Sequence, residues 1–347
     1  MRNAEQYWTK RALELESDLH LEAQLTYDKL DVIISQALDF ISQLINDWYG
    51  RYMPDGRGDY IASRKRLTPS ELSQFKSRFK RYLRVVEGYD DERIKRLFFR
   101  LEQVDARTNI TRLEALQKEV QVVSTLLHAE EERIISELAE RQFKQGYYRT
   151  YFDVFQNLGF GFSPELLDDA YIKDILSKPW APDGLTFYER ILRNDRMFLT
   201  EAQKLIIKHL HLGTSPDKVI SELSKTMNRT RRSASTMVMS EGAFFANEAR
   251  ADCMRNLDAE RYRIIATLDM KTSEICREMD GKVYPMKDYL AGATAPPFHV
   301  RCRTTTAPYY ADMDSFAQRI ARGANGDTYY VPADMQYKDW YKQYIEG

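Results

Sequence analysis

A chain of 347 residues with 43% apolar side chains has the material for two or three cores, at about 150 residues per domain. Its 51 basic and 52 acidic residues leave a net charge of −1. Bulk attraction to nucleic acid is therefore excluded, and only local basic faces remain for it. Three cysteines, Cys253, Cys276 and Cys302, cannot build a disulfide framework. No run of about 18 apolar residues could span a membrane, and the opening MRNAEQYWTKR lacks the apolar core of a secretory signal. A soluble chain in a reducing compartment is the expectation.

In chain order, the first 50 residues read as one long helix or a broken pair. Leu30, Ile34, Ala37, Ile41, Leu44 and Trp48 recur every three or four positions, which stacks them on one helical face. The stretch Trp48–Tyr60, with Pro54 and its glycines, stops the helix; Arg57-Gly58-Asp59 falls in that loop. Thr68-Pro69-Ser70-Glu71 then starts a second helix, with Thr68 as N-cap, Pro69 in the first helical position and Glu71 three residues on. A further helical pattern covers about 92–104.

The clearest helix is expected over about 108–145. There Leu113, Leu116, Val120, Val123, Leu127, Ile134 and Leu138 form an approximate heptad, broken at Glu130 or Glu131. Such a helix pairs within the chain or across subunits. Gly159–Pro164 reads as a turn, followed by a polar helix and a loop over Lys178–Gly184. From Thr186 three helical pieces are expected: one ending at Leu212-Gly213, one beginning Thr214-Ser215-Pro216-Asp217, and one over about 229–257. In the last, Val238, Phe245, Ala249, Cys253 and Leu257 share a stripe, so Cys253 is most simply a small buried hydrophobe.

After Asp258 the texture changes. Tyr262–Thr267, Lys282–Tyr284 and Arg303–Thr306 are candidate strands separated by turns, and 311–347 is an aromatic tail with Tyr329, Tyr330, Tyr337, Trp340, Tyr341 and Tyr344. The fold class expected is mostly α, with long N-terminal helices, a helical middle and a small C-terminal α+β domain. The division reads as an N-terminal helical region (1–178), a helical part (179–258), a small α+β part (259–310) and the tail (311–347).

Residues with chemistry concentrate between Ala266 and Arg303. Asp280-Gly281 between short extended segments marks a turn, because glycine accepts positive φ. Pro296-Pro297 stiffens the approach to His299. His299 and Cys302, two residues apart in the gap between them, reach one metal ion; Cys276 adds a third donor and Asp269 a fourth, a set zinc accepts. Met279 and Thr304 stand where further cysteines would complete a zinc pattern. Two other readings of the same residues stand beside zinc: a small packed core, and a Cys–His nucleophile. No catalytic constellation stands out.

The order Thr267-Leu268-Asp269, Thr272-Ser273-Glu274-Ile275-Cys276, Asp280-Gly281-Lys282-Val283 and Pro296-Pro297-Phe298-His299-Val300-Arg301-Cys302-Arg303 resembles the C-terminal domain of phage minor head proteins, the head-morphogenesis proteins related to the F protein of phage Mu. The helical block upstream is similar too. Relatives carry Arg-Thr-Glu and then an asparagine, where this chain has Met239-Ser240-Glu241 and then Asn247. Some relatives have two cysteines in each motif where this chain has one. The resemblance covers about 180–310. It implies the motif residues Thr267, Asp269, Thr272, Ser273, Cys276, Asp280, Gly281, Pro297, His299, Cys302 and Arg303.

By that resemblance the chain is expected in the virion, inside the head near the portal, after passing through the host cytoplasm during assembly. Its expected partners are the portal protein, capsid or scaffold proteins and packaged DNA, with binding rather than catalysis as its mode of action. Two basic clusters offer contacts to portal acids or DNA phosphates: Arg64, Lys65 and Arg66, backed by Lys76, Arg78, Lys80, Arg81 and Arg84; and Arg229, Arg231 and Arg232. The plain alternative for both is a solvated helix face. Two rival functions remain at this level: a metal- or thiol-dependent hydrolase using Asp269, Cys276, His299 and Cys302, and a nucleic-acid-binding protein.

Overall fold

The structure is a computed structural model that describes residues 4–86, 109–158, 167–309, 318–322 and 328–332. Its described helices are α1 (Ala4–Tyr52), α2 (Tyr60–Ser63), α3 (Pro69–Val86), α4 (Arg112–Leu158), α5 (Asp169–Leu176), α6 (Phe187–Leu212), α7 (Pro216–Asn256) and α8 (Glu274–Met279). The strands are β1 (Arg261–Ile265), β2 (Val283–Pro285), β3 (Thr305–Tyr309), β4 (Gln318–Arg322) and β5 (Thr328–Pro332). The chain is mostly α with a small antiparallel sheet near its C-terminus, in strand order β2-β1-β3; β4 and β5 form a separate antiparallel pair. No helix among the described residues is long and apolar enough to cross a membrane.

Local signals account for most element ends. At the start of α3 the Thr68 hydroxyl accepts from the Glu71 amide (3.3 Å) while the Glu71 carboxylate accepts from the Thr68 amide (2.7 Å), the reciprocal capping box the sequence announces. The same box recurs at the start of α4, between Thr111 and Glu114. In the loop before α2, Asp59 caps the helix through the Ala62 amide. A Cβ on Gly58 would lie 2.7 Å from the His209 carbonyl, so only glycine fits that crossing. The Arg57-Gly58-Asp59 tripeptide is thus a turn and a cap.

Of the two readings of the N-terminal region, the single long helix holds: α1 is unbroken. Two expectations need correction. The long fourth helix runs on to Leu158, past the expected end near 145. The two helical pieces expected over 214–228 and 229–257 are a single helix, α7, because Asn228-Arg229-Thr230 contains neither Gly nor Pro to stop it. The pattern at 92–104, the turn at Gly159–Pro164 and the tail residues Tyr337, Trp340, Tyr341 and Tyr344 lie outside the described residues; Tyr329 and Tyr330 are in β5.

The chain divides into two compact units drawn from interleaved stretches: residues 1–27, 135–187 and 235–347 in the first, and 28–134 and 188–234 in the second. In the second, Leu30, Ile34, Ile41, Leu44 and Trp48 are buried along α1 as their spacing predicts. Phe75 and Phe79 of α3 pack with Ile110, Ala115, Val122 and Ala129, each large side chain stabilising by roughly 1.5–3 kcal/mol through burial. From Leu113 to Ile134 helix α4 is buried on nearly every side, so its interior includes Glu119, His128, Glu131 and Glu132.

The first unit holds the sheet. Ala251 and Met254 of α7 pack on Tyr262 and Ile264 of β1, with Met279, Met286 and Ala295. Trp8, Ala12 and Leu13 of α1 pack with Val154, Ile265 and Ala307. Arg11 forks onto Asp153 (2.6 and 2.7 Å), and Tyr7 donates to the Asp153 carbonyl. This gives the early aromatic-basic run a structural job beside the sheet.

Candidate functional site

The site is built on the segments that leave and re-enter the sheet. Beyond β1 the chain turns at Asp269, whose carboxylate accepts from the Lys271 amide (2.9 Å) and the Thr272 hydroxyl (3.1 Å). Both nitrogens of the Arg303 fork donate to the same carboxylate, at 2.6 and 2.8 Å. Burial works to raise the Asp269 carboxyl, but the Arg303 guanidinium and the Thr272 and Lys271 donors outweigh it and hold the group below its usual range. Thr267 donates to the Arg303 carbonyl and Arg277 to the Thr272 carbonyl, so four of the motif residues form one bonded frame.

Ser273 caps α8 and accepts from the Cys276 amide, fixing Cys276 on the first turn of that helix. Asp280 accepts from the Ala266 amide at 2.8 Å. Gly281 takes φ +77°, the left-handed conformation that makes the Asp-Gly turn. These contacts hold α8 against the end of β1.

On the opposite side, Pro296-Pro297 leads into His299, and Arg301 adopts φ +58°. The Arg301 amide donates to the Ser240 hydroxyl (2.9 Å) and its guanidinium to Ser235 (2.8 Å), which pins the loop to α7. The result brings three donor atoms together. Cys276 Sγ lies 3.1 Å from His299 Nε2 and 3.6 Å from Cys302 Sγ, and all three lie within 4.8 Å of one another. Val300 O, which can only accept, sits 2.7 Å from His299 Nδ1; Nδ1 therefore carries a hydrogen, and Nε2 is the atom that faces the sulfurs.

Both sulfurs are buried, with Cys276 and Cys302 exposing 2% and 3% of their surface. They do not ionise alike. The hydrogen bond with Cys302 and burial push the Cys276 thiol up. That same bond pushes Cys302 down against its own burial, helped by His299 and by the backbone amides of Phe298 and Thr304. The bond to Cys302 raises the His299 imidazole. The arrangement is a close pair of cysteine sulfurs beside an imidazole, and its buried sulfurs do not suit attack on an external substrate.

Of the four residues expected to converge, Cys276, His299 and Cys302 do so. Asp269 is bound to Arg303 instead and is not part of the three-donor group. Cys253 is fully buried and its thiol is pushed up to about 12, first by burial, as fits a packing residue.

Upstream, Ser240 holds Arg301, Glu241 accepts from Trp180 Nε1 (2.7 Å), and Asn247 donates to the Thr304 carbonyl (3.2 Å). The sequence reading missed Arg250. It is buried, donates to Thr305 Oγ1, to the Thr306 carbonyl and to the Ala12 carbonyl (3.0 Å), and burial lowers it to about 10. The available signal was an arginine one residue from Ala249 on an otherwise apolar stripe. Arg250, Asn247, Gln142 and Cys302 border a small pocket.

The basic clusters lie elsewhere. Arg64, Lys65 and Arg66 are exposed, as are Lys80, Arg81, Arg229 and Arg232. Arg78 is paired with Glu119 (2.8 Å) and Arg231 with Asp31 (3.2 Å). The Arg84 side chain lies outside the described residues.

Residues 200–307 match the family model described as Phage Mu protein F like protein. No curated protein and no solved structure matches the chain. The matched segment runs from within α6 to β3 and contains every motif residue described above. Residues 200–307 are thus similar to the Phage Mu protein F like family, and that likeness supports a phage head-related protein with capsid-related partners.

Proposed function

We propose that this chain is a minor head protein of a tailed phage that acts in procapsid assembly by binding the portal protein and its capsid or scaffold neighbours, and that it resides in the virion inside the head near the portal. The observation that carries the reading is the family match at 200–307. The α+β part of that segment is supported internally by the Asp269–Arg303 frame, while Met270, Ile275, Leu290 and Val300 are exposed on it. Large apolar side chains displayed by a well-tied loop region suit a protein partner. Packaged DNA is a second partner in this reading, met through the phosphates by Arg64, Lys65, Arg66, Arg229 and Arg232, with Arg231 oriented by Asp31.

The test is co-expression with the portal protein of the same phage, followed by affinity purification. The chain is expected to copurify, and Ile275→Asp with Val300→Asp is expected to weaken that capture without unfolding the protein. Phage carrying a deletion of the gene should yield heads that fail to package or deliver DNA. Mature particles that lack the polypeptide, together with normal infectivity of the deletion, would sink the proposal. For the DNA contact, filter binding across a salt series should show affinity that falls steeply with salt and shrinks in Arg229→Glu with Arg232→Glu; no retention at low salt removes that part.

A further inference from the structure

We propose that Cys276, His299 and Cys302 bind one zinc ion as a two-sulfur, one-nitrogen set with a solvent molecule in the fourth position, clamping α8 to the 296–303 loop. Tetrahedral zinc with bonds of about 2.3 Å to sulfur and about 2.0 Å to nitrogen places its ligand atoms roughly 3.5–3.8 Å apart. The two sulfurs are 3.6 Å apart, and the Cys276–His299 separation of 3.1 Å needs to open by only about half an ångström.

The surroundings of the three donors favour a cation between them. His299 donates its Nδ1 hydrogen to a backbone carbonyl, the contact that orients a metal-binding imidazole and leaves Nε2 as the ligand atom. Two thiolates at the 3.6 Å separation of these buried sulfurs would repel each other; a divalent cation between them permits both at once. A disulfide would use the same pair, but it would require the sulfurs to close to about 2.05 Å and would leave the oriented imidazole without a role.

The fourth position falls to solvent because the nearest carboxylate by sequence, Asp269, is held by Arg303, and no further residue joins the donor group among the described residues. The ion would tie the short helix after β1 to the loop before β3, where Cys276, Cys302 and Phe298 pack together with Ala266. Soft thiolates with one imidazole select zinc over magnesium or calcium. Zinc at this site does not depend on binding to the portal.

The experiment uses the full chain, expressed with zinc, desalted under reducing conditions and measured by elemental analysis, then exchanged with cobalt for absorption spectroscopy. The expected result is about one zinc per chain, and a cobalt form with thiolate charge-transfer bands and intense tetrahedral visible bands. His299→Ala, at a half-exposed position, and Cys276→Ser should each reduce occupancy at least about tenfold, while Cys253→Ala should retain it. Circular dichroism on each variant separates lost metal from lost fold. A folded wild-type chain that takes up no stoichiometric zinc overturns the proposal. So does full occupancy in both His299→Ala and Cys276→Ser, or recovery of Cys276 and Cys302 as a disulfide from the reduced preparation.

Discussion

Two regions of this molecule bury carboxylates and treat them in opposite ways. In the α+β part, Asp269 lies in the two-armed grip of Arg303 and stays ionised below its usual range, burial notwithstanding. In the second compact unit, Glu131 on α4 is buried next to Asp195 of α6, and among the described residues neither is held in a two-armed grip of the kind Arg303 gives Asp269. Burial first, and then the neighbouring Asp195 charge, push Glu131 up to about 8. Burial raises Asp195 to about 6, although the Ser124 hydroxyl and Arg196 work against it. One region solves the cost of a buried charge by pairing it, the other by keeping a proton on it. The contrast shows that burial alone does not fix a carboxylate's state; the cation within reach decides it.

The sharpest way to break the comparison is to remove the paired acid. Asp269→Asn leaves the Arg303 guanidinium enclosed without its counter-charge and is expected to cost about 3 kcal/mol, read by denaturant unfolding. A loss below about 0.5 kcal/mol would reduce the pair to a surface contact. The native contribution also has a sign in pH. The folded Asp269 carboxyl lies below its unfolded value of 3.8, so its stabilisation is present above that value and disappears as pH falls through the folded one.

The buried acids of the second unit predict the reverse slope. Glu131 in the folded chain holds its proton to about 8, against 4.5 when unfolded. Its site therefore favours the fold most at low pH, and that support is lost as pH rises from about 4.5 through 8. Glu131→Gln should flatten this limb and stabilise the protein at pH 9 by about 2 kcal/mol relative to wild type, measured by thermal unfolding across pH. Parallel curves for the two proteins would show that Glu131 reaches water.

Buried Arg250 extends the comparison to a cation that is hydrogen-bonded rather than ion-paired. Arg250→Met keeps much of the volume but strips donors from the Thr306 and Ala12 carbonyls, with an expected loss of about 2 kcal/mol. The smallest effect belongs at a helix end, where no buried charge is involved. Thr68→Ala removes half of the capping box and should cost about 1 kcal/mol, visible as a shift in the urea midpoint at constant slope.

These residues also show how far the sequence reaches. The stripe from Leu30 to Trp48, the Thr68–Glu71 box and the Asp280-Gly281 turn were legible because each depends on neighbours within a few positions, where helical or turn geometry is the same in any protein. The length of α7 was not, because no residue near 229 breaks the helix and packing along the buried stripe of Val238, Phe245 and Ala249 carries it through. The three-donor group was legible in part. Cys276, His299 and Cys302 are brought within 4.8 Å as their spacing allowed, but the partner of Asp269 was not readable, since Arg303 is 34 positions away and competes with any metal for the same oxygens.

From the order of its residues alone, the chain fixed its helical class, its small C-terminal sheet and its phage Mu F-like motif, all of which rest on local periodicity, turn chemistry and short patterns. Tertiary structure decided the surroundings of each charge: Asp269 with Arg303, Arg250 with distant carbonyls, Glu131 buried beside Asp195. The physical reason is that a side chain's charge state depends on its three-dimensional dielectric surroundings and on the groups folded against it, neither of which is encoded within a few residues of its own position.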